Sequence, residues 1–167
     1  MKTEQLNIIR IVKSLAYFCS FALIIFGMNS CRSGPACINE GMQQISISWG
    51  TLTHSKGSDK IIEAHVLDHL GMVKEYRSLN DSILFMSEPK EVDEKMFCRT
   101  VGFVRKQVAE THALFEPADT QRFVYYKNPR YNVDLRIVWN PEFRTQGSRK
   151  VRMAWDSLNV LIETTEE

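Results

Sequence analysis

Residues 45–49 read Ile-Ser-Ile-Ser-Trp, a strict alternation of apolar and polar side chains. Alternation with a period of two is typical of a β-strand that has one face on a core and the other toward solvent. The pattern returns after turn residues 56–59 in Ile62, Ala64 and Val66, and a second turn at 69–71 leads into residues 72–79. This stretch therefore predicts an antiparallel meander of three strands.

The segment that follows the meander contains both an ambiguous apolar run and helix-start residues. Residues 83–86 are all apolar, which fits either a fourth short strand or a helical segment. Ser87 is predicted as an N-cap, with Pro89 in the first turn of a helix that runs to about Thr111. The apolar stripe predicted to pack this helix on the sheet comprises Val92, Met96, Val101, Val104 and Val108.

The C-terminal part adds two strands and a helix. Residues 121–127 and 132–139 are predicted strands, and Asp156 is predicted to cap a final short helix from Ser157 to about Thr164. The order βββ(β)αββα predicts an α+β fold. In this fold one long helix and one short C-terminal helix pack on an antiparallel sheet of about five to six strands. We expect residues 44–167 to form this single domain.

Composition limits the classes of protein that the chain can belong to. It has 167 residues, of which 44% are hydrophobic, and its 21 Lys+Arg nearly balance its 20 Asp+Glu. This is the composition of a globular protein and excludes a disordered charged tail. It also excludes a protein that binds nucleic acid by bulk positive charge, so no nucleic-acid partner is predicted.

The N-terminus has the pattern of an export signal. Lys2, Arg10 and Lys13 precede an uncharged, largely apolar run over 14–30. The run is short for a permanent span of a bilayer, which needs about 20 apolar residues. Met28-Asn29-Ser30-Cys31 resembles the lipobox of bacterial lipoproteins, with Met28 where Leu is usual and Asn29 where a small or apolar residue is usual.

The resemblance implies that the signal peptide, residues 1–30, is cleaved and that Cys31 carries lipid, which anchors the chain to the membrane. Residues 31–43 would then be a lipidated tether. Arg32, in place of Asp at the second position, implies the outer membrane, with the domain facing the periplasm. An uncleaved signal anchor and a plain secretory signal are the alternatives.

The cysteine count fits this interpretation. There are four cysteines; Cys19 would leave with the signal and Cys31 would be acylated, which leaves Cys37 and Cys98. Two remaining thiols in an oxidising compartment are candidates for a disulfide. The alternative is that both thiols are free or buried.

Two motifs suggest enzymatic chemistry, and neither has its expected context. His65-Val66-Leu67-Asp68-His69 resembles an inverted zincin motif, but on a strand the two histidines lie more than about 12 Å apart. Ser87 and Lys90 have the Ser-x-x-Lys spacing of penicillin-binding proteins, without that family's other motifs. We therefore predict no catalytic residue, no metal site and no cofactor.

The remaining asymmetry is a basic, aromatic stretch near the C-terminus. Residues 122–152 contain eight basic and two acidic residues interleaved with aromatic rings. Arginine binds phosphate and carboxylate, and flat rings pack on sugars or cations. The candidate binding residues are Arg130, Arg136, Arg144, Arg149, Lys150, Arg152, Tyr126 and Tyr131. The simpler alternative is a buried hairpin with a solvated basic outer face.

These features predict a membrane-anchored, non-enzymatic module that binds an envelope protein or an anionic glycan. Two other interpretations remain open: a small envelope hydrolase whose site is assembled from scattered residues, and an inhibitor of an envelope protease. The sequence does not distinguish an inhibitor from another binding module.

Overall fold

The computed structural model describes residues 34–55, 59–111, 114–116, 118–142 and 144–164. The predicted signal peptide 1–30 and the predicted lipidation site Cys31 lie outside these residues. Seven strands and two α-helices make up the described fold.

The strands form one antiparallel sheet in the order β4-β3-β2-β1-β6-β7, with β5 pairing with β3 at the same edge as β4. Their bounds are β1 Ser46–His54, β2 Lys60–Asp68, β3 Met72–Leu79, β4 Ser82–Met86, β5 Lys90–Glu91, β6 Thr120–Asn128 and β7 Val133–Trp139. The helices are α1 Glu94–Thr111 and α2 Arg149–Glu163. The predicted α+β class and the antiparallel sheet are confirmed.

The main core lies between the helices and one face of the sheet. The alternation seen at residues 45–49 places Ile47 and Trp49 in this core, where both are at most 1% exposed. Phe97 of α1 and Leu158 of α2 are fully buried in the same cluster. The Trp49 indole Nε1 also donates a hydrogen bond to Asn159 Oδ1 at 3.1 Å, which ties the central strand to α2.

The long helix begins later than the sequence predicted. Ser87 is not its N-cap, because the Ser87 backbone N–H donates to the Glu75 carbonyl (2.8 Å) and Ser87 Oγ accepts from the Glu75 N–H (2.9 Å). Ser87 therefore continues the pairing with β3, and Pro89 is tolerated at this sheet edge. The first helical residue is Glu94, and Asp93 Oδ1 caps the helix by accepting from Met96 N–H at 2.9 Å.

The C-terminal helix begins earlier than the sequence predicted. It starts at Arg149, and Asp156, the predicted cap, lies within it. Val151, Ala154, Trp155 and Leu158 are buried at helical spacing, so burial of this stripe extends the helix toward its N-terminus. The basic residues at 149, 150 and 152 are consequently helical.

Residues expected to form part of a tether pack against the domain instead. Cys37 and Cys98 form a disulfide with an S–S distance of 2.00 Å and a Cα–Cα distance of 5.6 Å. Met42 is 7% exposed within the core, and Asn128 Nδ2 donates to the Gly41 carbonyl at 2.9 Å. These contacts fix the segment from Cys37 to Met42 on α1 and on the end of β6.

Candidate functional site

The structure divides the predicted binding surface among several places. Arg136 lies on the sheet face opposite the helices, whereas Arg144 and Arg152 line a pocket beside α2. Arg130 Nη1 donates to the Glu40 carbonyl at 2.6 Å, and Lys150 Nζ lies 2.8 Å from Glu110 Oε2. Arg130 and Lys150 are therefore engaged locally, and the basic stretch does not form one continuous surface.

The remaining predicted residues have different environments. Tyr126 is only 4% exposed and belongs to the helix-side core, and together with Tyr131 it lines a cavity of about 770 Å³ beside α1. Tyr131 is 64% exposed, and its ring lies against Gly41. Arg149 lies in the first turn of α2, in a shallow depression that it shares with Lys150 and Glu110. The hydrogen bond from Lys150 lowers the pKa of Glu110 below its ordinary value.

Three arginines converge beside α2 on what we call the arginine pocket. Arg122 of β6, Arg144 of the β7–α2 connection and Arg152 of α2 line this cavity of about 270 Å³ together with Pro141 and Asp156. Arg122 lies 22 residues before Arg144 in the sequence, and Arg144 lies eight residues before Arg152. Their convergence depends on α2 beginning at Arg149 and passing the start of β6.

Two of these arginines are held in place by neighbouring side chains. The Arg122 guanidinium carbon lies 5.1 Å from the centroid of the Trp155 ring, a cation–π contact. Arg152 Nη1 donates to Ser148 Oγ at 3.0 Å, and Ser148 is fully buried. Fixed guanidinium groups lose less conformational entropy when they bind an anion.

The arginine pocket carries excess positive charge. Within the described part of the chain, no carboxylate forms a salt bridge with Arg122, Arg144 or Arg152. Asp156 is the acidic side chain on the wall, set against three guanidinium groups. Arg122 and Arg152 are partly buried. A bound anion stabilises partly buried cations, because it supplies a partner of opposite charge.

A second cavity, which we call the sheet cup, lies on the sheet face opposite the helices. It measures about 520 Å³ and is lined by Ser48, Lys60, Ile62, Tyr76, Asp81, Phe123, Tyr125, Asp134 and Arg136. Tyr76 is on β3 and Arg136 is on β7, four strands away. In a flat sheet the backbones of these two strands would be about 19 Å apart. The cavity therefore extends across five strands of the sheet, from β3 to β7.

Two small, buried residues lie at the centre of the sheet, beneath the aromatic side chains of the cup. Gly50 pairs with Ala64 on one side and with Phe123 on the other, and Ala64 pairs in turn with Tyr76. The Tyr76 and Phe123 side chains therefore lie on either side of Gly50, which has no side chain, and Ala64, which has a single methyl group. Phe123 joins Leu52, Ala64 and Val138 in a small apolar cluster, all at most 6% exposed, against which Tyr76 and Tyr125 pack.

The polar groups of the cup are partly paired. Tyr125 donates its hydroxyl proton to Asp134 Oδ2 at 2.7 Å, and this hydrogen bond raises the pKa of Tyr125 above its ordinary value. Burial raises the pKa of Tyr76, and the positive charge of Arg136 opposes that shift. Lys60 Nζ forms a salt bridge with Asp81 Oδ1 at 2.7 Å.

The motifs that suggested catalysis have other roles in the structure. The His65 ring stacks on the Trp49 ring, with a centroid distance of 5.3 Å, and His69 lies in the turn after β2. Ser87 Oγ is used in pairing with β3. Within the described ranges, no group of three or more His, Cys, Asp or Glu side chains is arranged to hold a metal ion.

Several residues of these two cavities were not candidates from the sequence. Tyr76 was assigned only to a strand, whereas Phe123 and Tyr125 belong to the aromatic rings of the basic stretch 122–152 and lie on one face of β6. The contact between Arg122 and Trp155 joins β6 to α2 and has no local sequence signal.

None of the helices that the structure describes is long and apolar enough to cross a membrane. Comparison with protein-family models and with curated proteins finds no match for this chain.

Proposed function

We propose that the chain is an exported lipoprotein, anchored through Cys31, whose domain is a non-enzymatic module that binds an anionic component of the cell envelope. The observation that carries this proposal is the convergence of Arg122, Arg144 and Arg152 on one pocket, where no carboxylate among the described residues forms a salt bridge with them. Arginine forms paired hydrogen bonds with carboxylate and phosphate oxygens, so the pocket suits an oxyanion.

The size of the pocket indicates how the ligand is held. At about 270 Å³ it lies just below the range of pockets that enclose a whole small molecule. It accommodates one charged group, while the rest of the ligand remains outside. This suits the phosphate or carboxylate of a large envelope glycan, or an acidic side chain of an envelope protein.

The disulfide supports export. Disulfides persist in oxidising compartments such as the bacterial periplasm and are rare in the cytosol. Cys37 and Cys98 form one that attaches the segment following Cys31 to α1. Together with the lipobox-like sequence at 28–31, it favours a domain held close to the membrane that carries its ligand.

The anion site is tested by titrating the full chain with inorganic pyrophosphate in a nonionic detergent, using isothermal calorimetry. We expect binding that weakens as salt is added, because counter-ions screen the charges. Arg122→Gln and Arg152→Gln should each weaken the affinity about tenfold or more, the effect of losing a charged hydrogen bond.

Arg77→Gln is the matched control, because Arg77 is 57% exposed on β3 and is paired with Glu63 and Glu75 outside the pocket. Its affinity for pyrophosphate should equal that of the unmodified chain. Absence of binding at low salt, or an equal loss in Arg77→Gln, would contradict the proposal.

A further inference from the structure

The sheet cup is chemically different from the arginine pocket. The two lie on opposite faces of the sheet. Arg122 and Val124 of β6 point toward the helices, whereas Phe123 and Tyr125 point to the other face. We propose that the cup is a separate site for a neutral saccharide, with sugar rings packed on its aromatic side chains. This proposal goes beyond anion binding and does not depend on the lipid anchor.

The aromatic groups of the cup match the apolar faces of sugar rings. Tyr76, Phe123 and Tyr125 line the cavity, and Tyr125 lies two residues after Phe123 on the same face of β6. Transfer of a sugar's apolar C–H groups from water to such a surface lowers the free energy.

The polar groups of the cup match sugar hydroxyls. Asp81 and Asp134 supply carboxylate acceptors, whereas Lys60, Arg136 and the Ser48 hydroxyl supply donors. A sugar hydroxyl both donates and accepts, so it can bond to either kind of group. Donors and acceptors grouped around aromatic side chains in an open cavity can bind a polyhydroxylated ligand more readily than a purely apolar one.

The charge balance of the cup favours a ligand without net charge. Two cationic and two anionic side chains line it, and the Lys60–Asp81 pair is already closed at 2.7 Å. The arginine pocket has three cations and one carboxylate. Electrostatic attraction therefore favours binding of an anion in the arginine pocket. It adds no affinity there for a ligand without net charge.

The cavity has room for a small saccharide. Its volume of about 520 Å³ lies within the usual range of about 300 to 1,000 Å³ for small-molecule sites. That is space for one or two sugar rings with water around them. Disaccharides are therefore suitable probes.

The test is calorimetric titration of the full chain with maltose, cellobiose and N,N′-diacetylchitobiose, in a detergent without a sugar head group. We expect at least one of them to bind with a Kd of about 1 mM or tighter. The affinity should not change with added salt or with saturating pyrophosphate, because the ligand is neutral and the sites are separate. If none of the three binds, the proposal is wrong.

Variants locate the binding. Tyr76→Ala should weaken the affinity about tenfold through loss of a ring, whereas Phe85→Ala, which removes a 47% exposed ring on β4 outside the cup, should leave it unchanged. Asp134→Asn and Ser48→Ala are milder changes that should each weaken binding severalfold, and they remain informative if Tyr76→Ala does not fold.

The same titration separates this proposal from the proposed function. Disaccharide binding that Arg152→Gln abolishes and the cup variants leave intact would overturn the assignment to the cup. Loss of pyrophosphate binding with disaccharide binding retained would overturn the anion site alone.

Discussion

Gly50 allows β1 and β2 to approach each other closely at the centre of the sheet. A Cβ atom added at this position would collide with the Glu63 carbonyl oxygen and the Ala64 side chain, and it would lie 2.5 Å from Ala64 Cα. These atoms belong to β2 or to its shortest side chain, so they cannot rotate away. Glycine at this residue is therefore required by packing between strands.

We expect Gly50→Ala to lower the free energy of unfolding by about 1 to 3 kcal/mol, as overpacking of a close contact does. Gly102→Ala is the matched control, because an added Cβ at Gly102, exposed on α1, meets nothing within 4 Å. In that helix interior alanine should stabilise the fold by about 0.5 to 1 kcal/mol. Urea denaturation followed by circular dichroism measures both, and equal effects would contradict this account of Gly50.

At the level of elements, the helix termini differ most from the sequence-based expectation. Ser87-Glu88-Pro89 has the composition of a helix start, yet pairing with β3 uses the Ser87 backbone and hydroxyl. Residue propensity predicts a helix start here, but it contains no information on pairing with another strand. The pairing with β3 determines the observed structure. The strands were predictable because their alternation, as at Ile45-Ser46-Ile47, is local.

The cap of α1 gives a direct test of its start. Removal of the Asp93 carboxylate that accepts from Met96 N–H should cost about 1 kcal/mol of stability in Asp93→Ala. Asp156→Ala is the comparison, because Asp156 is exposed within α2 and was the predicted cap of that helix. Asp156→Ala should lose less stability than Asp93→Ala, because only solvent-screened attraction to the pocket arginines is lost. A larger loss for Asp156→Ala than for Asp93→Ala would show that the helix starts are misplaced.

For the whole molecule, the two candidate sites arise from contacts between distant parts of the chain. Arg136 could be selected from the sequence as a cation, but its position in the same cavity as Tyr76 depends on the order of five strands. The arginine pocket likewise needs α2 beside the start of β6. The residue types of both sites were therefore visible in the sequence, whereas their grouping was not.

The Cys37–Cys98 disulfide connects the domain to the proposed anchor. It joins residues 61 positions apart, and closure of a loop of this length stabilises a fold by about 4 kcal/mol in the chain-entropy treatment. Cys37 lies six residues after Cys31. A domain fixed so close to a lipidated residue would stay near the membrane surface, where an anionic envelope component is within reach.

Acylation of Cys31 is the claim on which the compartment and the class of ligand both depend, and metabolic labelling of cells with an alkynyl fatty acid tests it most directly. We predict that the full chain incorporates the label, that Cys31→Ala abolishes it, and that Cys19→Ala, which changes a cysteine of the predicted signal peptide, retains it. A chain that takes up no label, or label that persists in Cys31→Ala, would contradict the account.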